Sequence, residues 1–99
     1  MYEDVAYLQK ENIVQDEYGN EVSEITERMV YTEERSVTRS EFYAAATAGL
    51  KPSLVLVLSN RMDYDGEKRV RYQNRPYRIV RTYTSGDAVE LTCEEAVHE

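Results

Sequence analysis

Apolar side chains recur at every second position over most of this chain, and turn-forming residues interrupt them at short intervals. A period of two puts successive side chains on opposite faces of an extended strand, whereas a helix needs a period near 3.6, so the pattern predicts an antiparallel β protein. Residues 5–14 read as a first strand. Asp16, Glu17, Tyr18, Gly19 and Asn20 read as a hairpin turn in which Gly19 or Asn20 supplies a positive φ. A long strand follows from Val22 to Val37, with Ile25, Met29, Tyr31 and Val37 on one face and Glu24, Thr26, Arg28, Thr32 and Glu34 on the other. A strand of this length bends or bulges, and part of it is expected to project beyond the core as one arm of a hairpin.

A helix is predicted over residues 39–48, with both ends written in the sequence. Thr38 and Glu41 form a capping box; Phe42, Ala46 and Leu50 make an apolar stripe; Gly49 fits a left-handed closing position and Pro52 blocks continuation. The run Leu54 to Leu58 is apolar on both faces and reads as a central strand, with sheet on one side and the helix or a barrel interior on the other. Beyond Asn60 come a polar turn through Gly66, a strand from Lys68 to Gln73, a tight turn at Asn74 to Pro76, and strands at Tyr77–Thr84 and Ala88–Cys93. Val70, Tyr72, Tyr77, Ile79, Tyr83, Val89, Leu91 and Cys93 take the inward positions. The fold class expected is mainly β: a small antiparallel barrel or sandwich of about six strands with one short inserted helix.

At 99 residues the chain has room for one domain, residues 1–99, with a core small enough that self-association is expected. Its one cysteine, Cys93, excludes an internal disulfide framework and a multi-cysteine metal site. No run approaches the roughly 18 apolar residues of a membrane span, and Met1, Tyr2, Glu3 and Asp4 do not open a signal peptide, so a cytosolic protein without membrane contact is expected. The formal charge is −7, which makes a poor general binder of phosphate backbones. That charge is segregated: residues 1–50 carry 11 acids and 4 bases, residues 61–81 carry 7 bases and 3 acids, and residues 82–99 carry 5 acids and no Lys or Arg. Acidic ends with a basic middle suit head-to-tail contact between identical copies, although charge runs more often simply face water.

The inventory for catalysis is thin, and neither an enzyme, a cofactor nor a metal is expected. Cys93 and His98 are the one thiol and imidazole pair, but Cys93 has the parity of buried Val89 and Leu91, and His98 is one residue from the end. Asp63, Asp65, Gly66 and Glu67 lack the remaining ligands of a calcium loop. Glu33 and Glu34, like Glu94 and Glu95, point to opposite faces of a strand and do not share an acid/base site. Arg69, Arg71 and Arg78, interleaved with Tyr72 and Tyr77, make a candidate basic surface for single-stranded nucleic acid. The parity of those tyrosines instead sets them in the core behind a basic outer face.

Glu41, Phe42, Tyr43 and Ala44, the apolar strand Leu54 to Leu58, Asp63–Gly66, Val70–Tyr72, Tyr77–Tyr83, and Glu90, Leu91 and Cys93 succeed one another in a familiar order. In that order and spacing the chain resembles the head-tail adaptor family of tailed bacteriophages, also called head closure or stopper proteins. Where relatives often carry Asn-Gly, this chain has Asn74, Arg75 and Pro76, so that turn is built differently. The resemblance implies a structural virion protein at the head-tail connector, made in the bacterial cytoplasm and assembled as a ring that closes the packaged head and offers a surface to the tail. Its implied partners are further copies of itself, a portal-bound adaptor, a tail completion or terminator protein, and packaged DNA by proximity in the channel. Glu41, Phe42, Tyr43 and Leu50, in the segment from Thr38 to Pro52, are then candidates for subunit contact or channel closure. Glu24, Glu33 and Glu34 are candidates for an acidic channel lining that lets DNA slide. The alternative is a small barrel that binds single-stranded nucleic acid.

Overall fold

The computed structural model describes residues 3–96. Its elements run in the order β1 (Asp4–Gln15), β2 (Glu21–Arg35), α1 (Arg39–Ala46), β3 (Pro52–Leu58), β4 (Arg69–Tyr72), β5 (Arg75–Ser85) and β6 (Ala88–Glu95), with a 3-10 turn over Arg61–Asp63. Every pairing is antiparallel, and the sheet closes into a barrel in the order β1-β2-β3-β6-β5-β4. Inside it lie Ala6, Leu8, Val30, Leu54, Leu56, Leu58, Val70, Tyr72, Tyr77, Val89, Leu91 and Cys93. Leu8, Leu56, Leu58 and Leu91 are almost wholly removed from water, and burying each such side chain stabilises the fold by about 1.5–3 kcal/mol.

β3 is apolar on both faces because both are covered. Leu54, Leu56 and Leu58 point into the barrel, while Val55, on the outer side and paired with Thr92, is fully buried as well. The helix begins as its residues dictate: the Thr38 hydroxyl accepts from the Glu41 N–H at 3.2 Å, and the Glu41 carboxylate accepts from the Thr38 N–H at 3.0 Å. Gly49, at φ 77°, turns the chain so that the Leu50 N–H reaches the Ala45 carbonyl.

The first hairpin extends past the barrel. β1 and β2 pair from Asp4 opposite Thr32 out to Gln15 opposite Glu21, but β4 pairs with β1 only over Ala6–Gln9 and β3 with β2 only over Glu33–Arg35. Residues 10–15 and 21–27 therefore form a ribbon bonded only to itself within the sheet, reaching about 20 Å beyond the last β4 pair at the usual strand rise. The molecule measures 50 × 29 × 24 Å in consequence. Asp16 builds the tip, its side chain accepting from the N–H groups of Tyr18 and Asn20, with Gly19 at φ 80°.

Four details differ from the expectations of the sequence, each for a structural reason. On β2 the face carrying Ile25, Met29 and Tyr31 points outward and leaves them half or more exposed, because pairing with Ala6 and Leu8 turns Val30 and Thr32 inward. Polar residues tolerate that inner face because each finds a partner: Thr32 Oγ1 donates to the Val57 carbonyl, Arg28 to Glu67, and Glu34 accepts from the Tyr72 hydroxyl. Tyr83 is exposed rather than inward, since a bulge between Ile79 and Arg81 inserts Val80 and reverses the parity of the rest of β5. Helix α1 packs through Ala45 rather than through a Phe42, Ala46 and Leu50 stripe, leaving Phe42 and Ala46 exposed. The β4–β5 turn is Gln73–Asn74, at φ 51° and 61°, with Arg75 and Pro76 already in β5; two left-handed residues in a two-residue loop match the twist of the flanking strands.

Leu8→Ala, inside the barrel, is expected to cost about 2–5 kcal/mol of unfolding free energy. Ile25→Ala, on the ribbon, is expected to change it by no more than about 0.5 kcal/mol. Urea denaturation of both variants measures the contrast, and equal losses would mean that the ribbon face is packed.

Candidate functional site

Two surface regions gather the residues singled out above. The first is α1 and its clamp. Arg35, at the end of β2, reaches outward and donates to both Glu41 oxygens at 3.0 and 3.1 Å and to Glu90 on β6 at 2.5 Å. One guanidinium thus ties the first turn of the helix to the barrel wall. Glu41 is held at about 2, far below the usual carboxylate range, first by Arg35 and then by the Thr38 N–H, and Arg35 is itself raised. Glu41 is therefore committed within its own chain. Phe42 and Tyr43 are exposed, stacked edge to face at 6.1 Å, and Leu50 is half-buried beside a gap beneath the helix that Val80, Arg81 and Thr92 complete.

The carboxylates considered for a channel do not share a face. Glu33 pairs with outward Val57, whereas Glu34 has the inward parity and accepts from Tyr72 Oη at 3.0 Å at the barrel mouth, where Asp4 also reaches that hydroxyl at 3.2 Å. Glu24 stands far off on the ribbon, opposite Asn12.

The second region is the outer face of β4 and β5. Arg69 lies directly opposite Arg78, and both stand on the side away from buried Val70 and Tyr77. Arg78 is bound to Glu94, and Arg71 donates to both oxygens of Glu27 while lying 4.3 Å from the centre of the Tyr7 ring. Two of the three arginines are thus neutralised internally. Tyr72 and Tyr77 are buried, as their parity predicts, and offer no stacking platform. Cys93 is fully buried, and burial pushes its thiol up to about 12; His98 lies outside the described residues. In the 63–67 turn Glu67 is almost completely buried, accepting from Arg28 at 2.8 Å and from the Asp65 N–H at 2.7 Å. Among the described residues no three His, Cys, Asp or Glu side chains are grouped to hold a metal.

Sequence reasoning missed both Arg35 and the Arg28–Glu67 pair. Their partners lie 55 and 39 residues away for Glu90 and Glu67, a separation that local spacing does not encode. The one local trace was a base near a capping box.

Arg35→Ala is expected to lower stability by about 1–2 kcal/mol by freeing two carboxylates at once. Faster hydrogen exchange at the Leu50 amide would locate the loss in α1, and unchanged exchange would contradict the clamp. Glu41, Glu67 and Glu94 all have folded values below the unfolded 4.5. Their contribution is complete above that value and is lost as pH falls through the folded ones. Melting temperature should therefore fall between about pH 4.5 and 2, and a flat profile there would count against these pairs.

The comparisons agree with this architecture. The solution structure of protein SF1141 from Shigella flexneri 2a matches with a TM-score of 0.80 over 99% of this chain and 96% of that one, at 13% identity, which shows a common fold. None of the curated proteins compared with the chain matches it. The model of the phage head completion protein family matches residues 3–96, nearly the whole chain. The barrel, its inserted helix and the order of elements that resembles a phage connector component all fall within that match, and the chain belongs to the phage head completion protein family.

Proposed function

We propose that this chain is a structural virion protein that assembles as a ring at the head-tail connector, closes the packaged head and forms the surface to which the tail attaches. The observation that carries the reading is the family match across residues 3–96. The physical features agree with it. Tyr18, Ile25, Met29, Tyr31 and Tyr43 stand exposed and offer contact area to a neighbouring copy. Although the barrel is closed, open strand edges remain along the ribbon and along β5 past Ile79, where β4 no longer pairs with it, so further copies meet the barrel through side chains or through these edges.

In this reading Phe42 and Tyr43 are the contact residues of the inserted segment, toward a neighbouring copy or the channel, while Glu41 holds the helix that carries them. Glu33 on the outer face and Glu24 on the ribbon hold the positions from which a carboxylate faces a channel wall, whereas Glu34 has the inward parity and accepts from Tyr72. The partners are a portal-bound adaptor above, a tail completion or terminator protein below, and packaged DNA by proximity. The role needs no catalysis.

Deleting the gene from an inducible phage or prophage that carries it should yield heads that have lost their DNA beside free, complete tails in electron micrographs of the lysate. Normal infectious particles would overturn the proposal. Complementation with a Phe42→Asp, Tyr43→Asp variant should leave the fold intact by circular dichroism and reduce titre.

A further inference from the structure

A groove of about 600 Å³ runs along the free edge of β1 where β4 stops pairing with it. Ile13, Ile25 and Glu11 of the ribbon line one side; Lys68, Arg69 and Arg78 line the other, beside Glu67, which is taken up by Arg28. The basic side is under-compensated. Arg69 and Arg78 face each other across β4 and β5, a repulsive arrangement for like charges, and of the two only Arg78 pairs with Glu94, which also accepts from the Lys51 N–H. Among the described residues neither Lys68 nor Arg69 makes an ion pair. Residues 68–81 as a whole hold six bases and no acid.

The opposite imbalance sits on the ribbon. Residues 11–24 hold five carboxylates and no base, and among the described residues Glu17, Glu21 and Glu24 form no ion pair. Tyr18, Ile13, Val22 and Ile25 are also exposed there, at 81%, 68%, 41% and 62%. A two-stranded ribbon with apolar residues on both faces is marginal in water unless something covers it. It cannot fold back into the groove, because its own β1 edge is one of the walls.

Resting on the ring assembly proposed above, we infer that the groove receives the ribbon tip of a second copy, Glu17 and Glu21 of one chain against Lys68 and Arg69 of the next, with Tyr18 and Val22 covering Ile13 and Ile25. The contact joins two different surfaces of the same chain, so each copy donates a tip and accepts one, and repetition around an axis gives a closed ring. Charge sets the order and register of the copies, and the apolar residues supply the area.

Charge reversal in the phage tests it. The tip variant (Glu17→Lys, Glu21→Lys) and the groove variant (Lys68→Glu, Arg69→Glu) should each cut the copies of this protein in purified particles by about tenfold or more, and the two sets combined in one chain should restore them. Wild-type incorporation of either variant, or a combination no better than its parts, would overturn the contact, provided each purified variant melts as the wild type does. A chain carrying Asn20→Cys and Lys68→Cys provides a second measurement that leaves Arg69 and both tip carboxylates in place. A short bismaleimide should convert it in particles into a ladder of covalent multimers, with buried Cys93 silent. Particles that contain this chain yet give no ladder would refute the contact while leaving the connector role standing. A ladder from Asn20→Cys alone would refute it in favour of tip-to-tip pairing. Groove-variant loss that tip reversal does not rescue, together with salt-dependent DNA binding by the wild type, would assign the groove to DNA instead. Absence of the wild-type protein from particles would remove the connector role and this contact together.

Discussion

Four residue pairs, Ala6 with Tyr72 through Gln9 with Arg69, close the sheet on itself, and most of the molecule depends on that short seam. Without it β1 and β4 would be open edges, and the interior shared by Leu8, Val70, Tyr72 and Tyr77 would face water. The seam is short because β4 has only four residues between the 63–67 turn and the Gln73–Asn74 hairpin. β1 is three times as long, so its remainder must leave the barrel with β2 as a ribbon. Barrel closure and ribbon projection are thus two results of one mismatch in strand length.

Charge is distributed around that frame with a division of labour. Inside and at the barrel ends polar groups are matched one by one: Arg28 with Glu67, Tyr72 with Glu34, Arg35 with Glu41 and Glu90. Such partners fix the geometry of a small core more than they add to its stability, since part of what each pair gains offsets the cost of desolvation. Among the described residues the ion pairing stops toward the ribbon tip and at Lys68 and Arg69. That is the pattern expected of a chain whose surfaces are completed by other copies, and it accords with membership of a head completion family.

What could be read from the residues was what local period and end signals encode. The strands, the capping box at Thr38 and Glu41, the two covered faces of β3, and the outward arginines behind inward Tyr72 and Tyr77 all come from alternation or cap chemistry. Where long-range pairing decided the outcome, the local pattern misled. Ile25, Met29 and Tyr31 form the more apolar face of β2, yet they point outward because Ala6 and Leu8 of β1 determine which face turns in. Tyr83 has the alternation of a core residue until Val80 bulges. The helix has a Phe42 stripe by spacing but docks through Ala45, since Arg35 and Glu90 anchor the Glu41 side of it. The ribbon's reach was foreshadowed by strand length, whereas the groove beside it depends on where β4 stops, which no local pattern marks.

A cryo-electron microscopy reconstruction of the neck of a phage that carries this chain addresses the central claim most directly. The account predicts a ring of copies of this barrel between portal and tail, each with its long hairpin reaching a neighbouring copy. Density for the chain in the capsid lattice or the tail tube, or its absence from the neck of a complete particle, would contradict it.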